Sequence, residues 1–198
     1  MVKRIAPDQC FGAIIDVQEF FLAQLDRRVR SRIETNTANL VRLLGYFRIP
    51  IVVTLERPVE RKGVLPDKIG KHLGDHAQTF EKDFFDLSKE TRIKTHISRL
   101  KKKQAIVAGC ETDVCVLQSC LGLLSLGYEV YVVEELLFSS ARYVEAAIAR
   151  LKAEGATILT YKTLYFELIQ AVGESRHAEK VEAVFGPFPE DLPEAAIQ

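Results

Sequence analysis

Cys115 and Asp16 are the two side chains best suited to covalent chemistry, because of what stands beside each. Cys115 ends the run Ala108-Gly-Cys-Glu-Thr-Asp-Val-Cys115, where a strand-like apolar stretch gives way to a helical one. A cysteine in the first turn of a helix feels the positive end of the helix dipole, which favours thiolate. The free N–H groups of such a turn can also hold an oxyanion. Thr112 or Asp113 would serve as the N-cap. Asp16 directly follows Phe11-Gly-Ala-Ile-Ile15, a run with no other polar side chain. Burial there would raise its pKa and suit it to proton transfer, although a turn residue after a strand looks the same.

Lys82 lies in Gln78-Thr-Phe-Glu-Lys-Asp-Phe-Phe85. If that segment is extended it carries an ammonium toward the strand ends, where it would lower a neighbouring thiol pKa. Taken alone, a lysine is a surface residue. His72 and His76 would share one face of a helix, but a charged loop usually turns histidines to solvent. Cys10, Cys110 and Cys120 read as small buried hydrophobes. No Cys-x-x-Cys pair with matching histidines is present, so neither structural zinc nor a disulfide framework is expected.

The elements that must position these groups alternate. Phe11–Val17, Ile51–Leu55, Ala105–Gly109, Tyr128–Val133 and Thr157–Thr160 read as buried strands, with a candidate sixth near Phe80. Between them, helical spacing runs through Ile33, Leu40, Val41, Leu43 and Leu44, through Ser88–Lys102, Asp113–Leu126 and Ser140–Glu154, and through Leu164–Val172. Gly155 is expected as a C-cap glycine. Alternating strands and helices imply parallel pairing through right-handed crossovers, hence a single three-layer, doubly wound, Rossmann-like α/β domain over residues 1–185. In such a sheet, ligands bind beyond the carboxyl ends of the strands, where Asp16, Cys115 and the Glu56-Arg57-Pro58 turn fall. The connection from Glu56 to about Gln78 is long enough to be functional. A tail from Gly186, with Pro187, Pro189 and Pro193, reads as extended.

Composition narrows the partners. Lys plus Arg is 27 and Asp plus Glu is 27, so no basic excess draws nucleic acid or an anionic membrane. Arg99 with Lys101, Lys102 and Lys103 reads as a solvated helix end. No apolar run approaches a membrane span and no secretory signal is evident, and four cysteines without a disulfide framework read as reduced thiols, so a cytoplasmic protein is expected.

Three segments together resemble the isochorismatase-like cysteine hydrolases: Ile14-Ile-Asp-Val-Gln18, Phe80-Glu-Lys-Asp-Phe-Phe85 and Gly109-Cys-Glu-Thr-Asp-Val-Cys-Val116. The resemblance runs from about Gly12 to Val172. It implies a six-stranded parallel sheet, hydrolysis of a C–N bond in a small-molecule substrate, and an Asp–Lys–Cys triad carried onto Asp16, Lys82 and Cys115. It further implies a cis peptide between Cys110 and Glu111, an oxyanion hole from the N–H groups of Glu111 and Cys115, and a homo-oligomer. Gln18, Phe21, Glu56 and Phe84 are expected in the substrate pocket. Nicotinamidases of the family carry an Asp-x-His metal cluster after the second strand; here Leu55-Glu-Arg-Pro58 stands instead, so no metal or cofactor is expected. Glu135-Leu136 replaces the family's Asp-Ala and is expected to alter the pocket wall. Other readings of the same residues are a non-catalytic scaffold, a thiol redox sensor pairing Cys115 with Cys110 or Cys120, and a vinyl-ether hydrolase with Asp16 as general acid.

Overall fold

The computed structural model describes residues 4–170. Six strands, β1 (Cys10–Ile15), β2 (Ile51–Glu56), β3 (Ala77–Lys82), β4 (Gln104–Gly109), β5 (Glu129–Leu137) and β6 (Thr157–Leu159), form one parallel sheet in the order β3-β2-β1-β4-β5-β6. The order reverses between β1 and β4, so the crevice beyond those two strands is where this topology puts a ligand.

Side-chain alternation along the strands builds the two outer layers. Cys10, Ile14, Val53, Ile106 and Val133 point to one face and pack with Leu40, Leu44, Leu164 and Leu168 from helices Arg27–Tyr46 and Tyr161–Ile169. Phe11, Ala13, Val52, Val107 and Val132 point to the other face. There they meet Ile93, Ile97, Cys120, Leu123 and Leu151 from helices Thr91–Leu100, Leu117–Ser125 and Glu145–Ala153. Every residue of β1 and β4 is buried, which is why neither shows polar alternation.

Several boundaries differ from the sequence expectation. β1 stops at Ile15 because Asp16 adopts a left-handed conformation, φ 51°, and Cys10 belongs to the strand rather than preceding it. β3 is a regular strand whose middle is exposed. As the edge strand it has a single neighbour, so Gln78, Thr79 and Glu81 face solvent and weaken the apolar signal. The stretch read as one helix from Asp113 begins with a π-type turn, Thr112–Val116, before the regular helix starts at Leu117. Glu111 holds the N-cap position there, in place of Thr112 or Asp113. Helix Ser88–Lys102 shortens to Thr91–Leu100, ended by Lys101 at φ 54°, and Ser140–Glu154 shortens to Glu145–Ala153. Gly155 takes φ 99° just past that helix, as a C-cap glycine should. His72 and His76 flank a turn, not a helix, so they share no helical face. The tail from Gly186 and the end of the last expected helix lie outside the described residues.

Candidate active site

The site forms where the ends of four strands, β1 to β4, meet. Pairing of Ile15 with both Thr54 and Gly109 brings the tips of β2 and β4 level with Asp16. The junction tolerates no side chain at Gly109, since a Cβ there would lie 1.9 Å from the Ile15 carbonyl oxygen and φ is 130°. Asp16 keeps its left-handed backbone because its carbonyl accepts from the Gln18 N–H at 2.8 Å and from the Cys110 thiol at 3.0 Å. Aspartate is among the few non-glycine residues that enter this region readily.

Asp16, Lys82 and Cys115 converge at this edge. Lys82 Nζ lies 2.7 Å from Asp16 Oδ2 and donates to Cys115 Sγ at 3.5 Å. Both ions are 0% exposed and Cys115 is 2% exposed. The other oxygen of Asp16 accepts from the Thr54 hydroxyl at 2.7 Å. The Cys110–Glu111 peptide is cis, and so is Arg57–Pro58.

The turn that carries Cys115 is tied down by the loop after β5. Phe138 O accepts from the Thr112 N–H and hydroxyl, the Ser139 hydroxyl donates to Asp113, and Ser140 donates through its N–H and hydroxyl to the Glu111 carboxylate. Glu135 and Leu136 belong to the sheet. Both still lie within β5, where Leu136 is core and Glu135 accepts from the Tyr161 N–H.

Glu56, expected in the substrate pocket, touches Cys115 directly: Sγ donates to its Oε2 at 3.0 Å, closer than Lys82. Its Oε1 pairs with Lys62, whose ammonium also lies 5.6 Å from the centre of the Phe21 ring. Gln18 turns inward. It is buried, with its amide used up on the Glu56 N–H and carbonyl and the Gly63 carbonyl, so it positions Glu56 and the long connection. Phe84 is half-exposed and lines a surface groove of about 920 Å³ with Lys94, Ser98 and Arg99, a groove that includes none of Asp16, Lys82 and Cys115. Nothing in local spacing marks Lys62 or Ser139 and Ser140, because Lys62 comes from a single helical turn in the long connection and the serines from the loop after β5, and the sequence pattern specifies the path of neither.

Burial governs the charges. It raises the Asp16 carboxyl, against the opposing pull of Lys82, Thr54 and Cys115. Burial alone would lower Lys82, but Asp16, Cys115 and Glu56 outweigh it and keep the ammonium charged. The helix-end argument for a resting Cys115 thiolate does not hold. Burial, with Asp16 and Glu56 beside the sulfur, pushes the thiol up, and Lys82 offsets this only in part. Cys115 therefore rests as a thiol. Asp16, Glu56 and Cys115 offer three potential metal ligands within 4.8 Å of one another. The Lys82 ammonium stands within 4 Å of all three, supplying the positive charge that a metal would bring. The four cysteines are free and buried. Cys110 packs on the opposite sheet face from Cys115 and Cys120.

The isochorismatase domain family matches residues 13–163. The chain is 32% identical over 179 residues to the secreted isochorismatase effector Isc1 of Phytophthora sojae, covering 86% of this chain and 81% of that protein. Among solved structures it is similar to the MAR1 ribonuclease of Caenorhabditis elegans, with TM-score 0.82 and 23% identity over 96% of this chain and 98% of that one. It is also similar to YcaC of Escherichia coli, described as an octameric hydrolase of unknown specificity, with TM-score 0.79 and 21% identity over 86% and 84% of the two chains. No helix among the described residues is long and apolar enough to cross a membrane.

Proposed function

The chain belongs to the isochorismatase domain family, a family of hydrolases, and on that footing we propose that it hydrolyses an amide-type C–N bond in a small molecule. Cys115 is the nucleophile, Asp16 its proton acceptor and donor, and Lys82 the fixed cation between them. The observation that carries this reading is Lys82 itself, a fully buried ammonium in reach of both Asp16 Oδ2 and Cys115 Sγ.

The chemistry follows from the charges. As Sγ approaches a substrate carbonyl, its proton passes to Asp16, a better acceptor for having a raised pKa. Lys82 stabilises the sulfur as it becomes negative. The N–H groups of Glu111 and Cys115 receive the oxyanion; that of Glu111 has no acceptor among the described residues. Asp16 then returns its proton to nitrogen, the C–N bond breaks, and the amine leaves a thioester behind. Water attacks the thioester and gives a proton to Asp16. Breaking of the C–S bond releases the acid and takes that proton back to sulfur. Free thiols suit a reducing cytoplasm, and the octameric description of the Escherichia coli neighbour favours a homo-oligomer.

The test is ammonia release from a panel of small primary amides and ureides, with a vinyl ether included, for wild type, Cys115→Ala and Asp16→Asn. Turnover of an amide that both variants lose supports the proposal. A vinyl ether still cleaved by Cys115→Ala but spared by Asp16→Asn would favour acid chemistry without a thioester. Inertness toward the whole panel would favour a scaffold.

A further inference from the structure

Glu56 presents two oxygens with different fixed partners, Oε1 to Lys62 and Oε2 to the Cys115 thiol. Its backbone is clamped on both sides by the Gln18 amide, which accepts from the Glu56 N–H at 2.7 Å and donates to its carbonyl at 3.2 Å. Such a carboxylate cannot turn away, and when ionised it offers only lone pairs. Attack by Cys115 takes the S–H from Oε2, so that oxygen must find another donor or face the substrate unpaired.

We propose that Glu56 selects the substrate: it exchanges the Cys115 S–H for an N–H on the nitrogen of the scissile bond, so the site takes amides and ureides bearing N–H and disfavours the matching esters. This rests on the reading of Cys115 as nucleophile. A carbon that bonds to Sγ brings its other substituents into the space beside Oε2. An amide nitrogen there donates to the carboxylate, whereas an ester oxygen sets lone pair against lone pair in a largely desolvated place. Sites built around a hydrogen bond reject the analogue that cannot make it. The released S–H has Asp16 to turn to, since the ligand atoms of Asp16, Glu56 and Cys115 lie within 4.8 Å of one another. Burial works to raise the Glu56 carboxyl, but Cys115, Lys62 and Lys82 together hold it below the usual carboxylate range, so it remains an acceptor at neutral pH.

The probes are iodoacetamide and methyl iodoacetate, which share one reacting CH₂ and differ in NH₂ against OCH₃ on the carbonyl attached to it. In each case sulfur forms the C–S bond as the C–I bond breaks and iodide leaves. Rates of Cys115 modification on the full chain are followed by peptide mapping and divided by the rate of the same reagent with N-acetylcysteine. Wild type should favour the amide over the ester by about tenfold after this correction, the scale of one hydrogen bond gained and one mismatch avoided. Glu56→Gln, whose amide can donate to an ester oxygen, should bring the ratio close to one. A wild-type ratio near one, or a ratio that survives Glu56→Gln, overturns the proposal while leaving Cys115 as nucleophile. If neither reagent modifies Cys115 ahead of Cys10, Cys110 and Cys120, the nucleophile reading falls and this one with it.

Discussion

Glu56 and Lys82 are register partners, each the last residue of its strand, across the β2–β3 pair. That pairing brings Lys82 Nζ to 3.9 Å from Glu56 Oε2 and aims it at the sulfur and carboxylate beyond. The edge strand therefore delivers the cation on which both buried acids depend.

Removing that cation should be costly twice over. Lys82→Met leaves the buried Asp16 without its counter-ion, with Thr54 and Cys115 as its remaining partners, and breaking a buried pair in this way costs about 3–5 kcal/mol. Urea unfolding should show a loss of this size, and amide turnover should fall by about 100-fold or more, the usual scale for a lost electrostatic stabiliser. Unfolding within about 1 kcal/mol of wild type, well under the cost of a broken buried pair, would count against an ion pair at this site.

Gly109→Ala tests the close approach of β1 and β4. The new Cβ would meet the Ile15 carbonyl at 1.9 Å, so backbone must move. We expect destabilisation of more than about 3 kcal/mol, beyond the 1–3 kcal/mol of a strained backbone alone. Gly155→Ala is the control, with φ 99° but nothing within 4 Å, and should stay inside that smaller range. Equal melting temperatures for the two variants would mean that the strand junction can yield.

The pH dependence follows from Asp16. As the proposed proton acceptor it must be ionised, and burial raises its carboxyl above the ordinary 3.8. The acid limb of kcat/KM should therefore lie at higher pH than an exposed aspartate would give. Lys82, raised above 10.5, should hold its charge throughout the neutral range. Stability follows two opposite signs. Glu56, lowered on folding, contributes stability above its unfolded pKa that is lost as pH falls through its folded value. Asp16, raised on folding, opposes folding while ionised, and acid relieves it. Unfolding of Asp16→Asn and Glu56→Gln across pH 3–7 should separate the two: the wild-type advantage over Glu56→Gln shrinks toward acid, and that over Asp16→Asn does not.

Gln18→Leu should act on the site without touching it. The variant loses three hydrogen bonds, each worth about 0.5–1.5 kcal/mol. It should be destabilised by about 2–4 kcal/mol and lose part of the amide preference, because Glu56 is no longer clamped. Phe84→Ala should leave Cys115 labelling and that preference unchanged, since its ring faces the surface groove. A Phe84 effect larger than the Gln18 effect would return Phe84 to the pocket.

The sequence by itself determined the layered fold and the chemical cast. Apolar runs such as Phe11–Ile15 and Ala105–Gly109 declare strands buried on both faces, because hydrophobic burial is local in cause and periodic in pattern. Asp16, Lys82 and Cys115 were legible as candidates through strand ends, a helix start and a resemblance that spans most of the chain. Tertiary structure alone decided how their charges balance. Local reasoning credited Cys115 with the helix dipole, but desolvation and two carboxylates push the thiol up, and the carboxylates come from residues far away in sequence. The same holds for Glu56, whose partners Cys115, Gln18 and Lys62 come from another strand end, another turn and the long connection. A spacing rule carries information only along the chain. The contacts that set a buried pKa run across it, between strands whose register is fixed by the packing of the whole sheet.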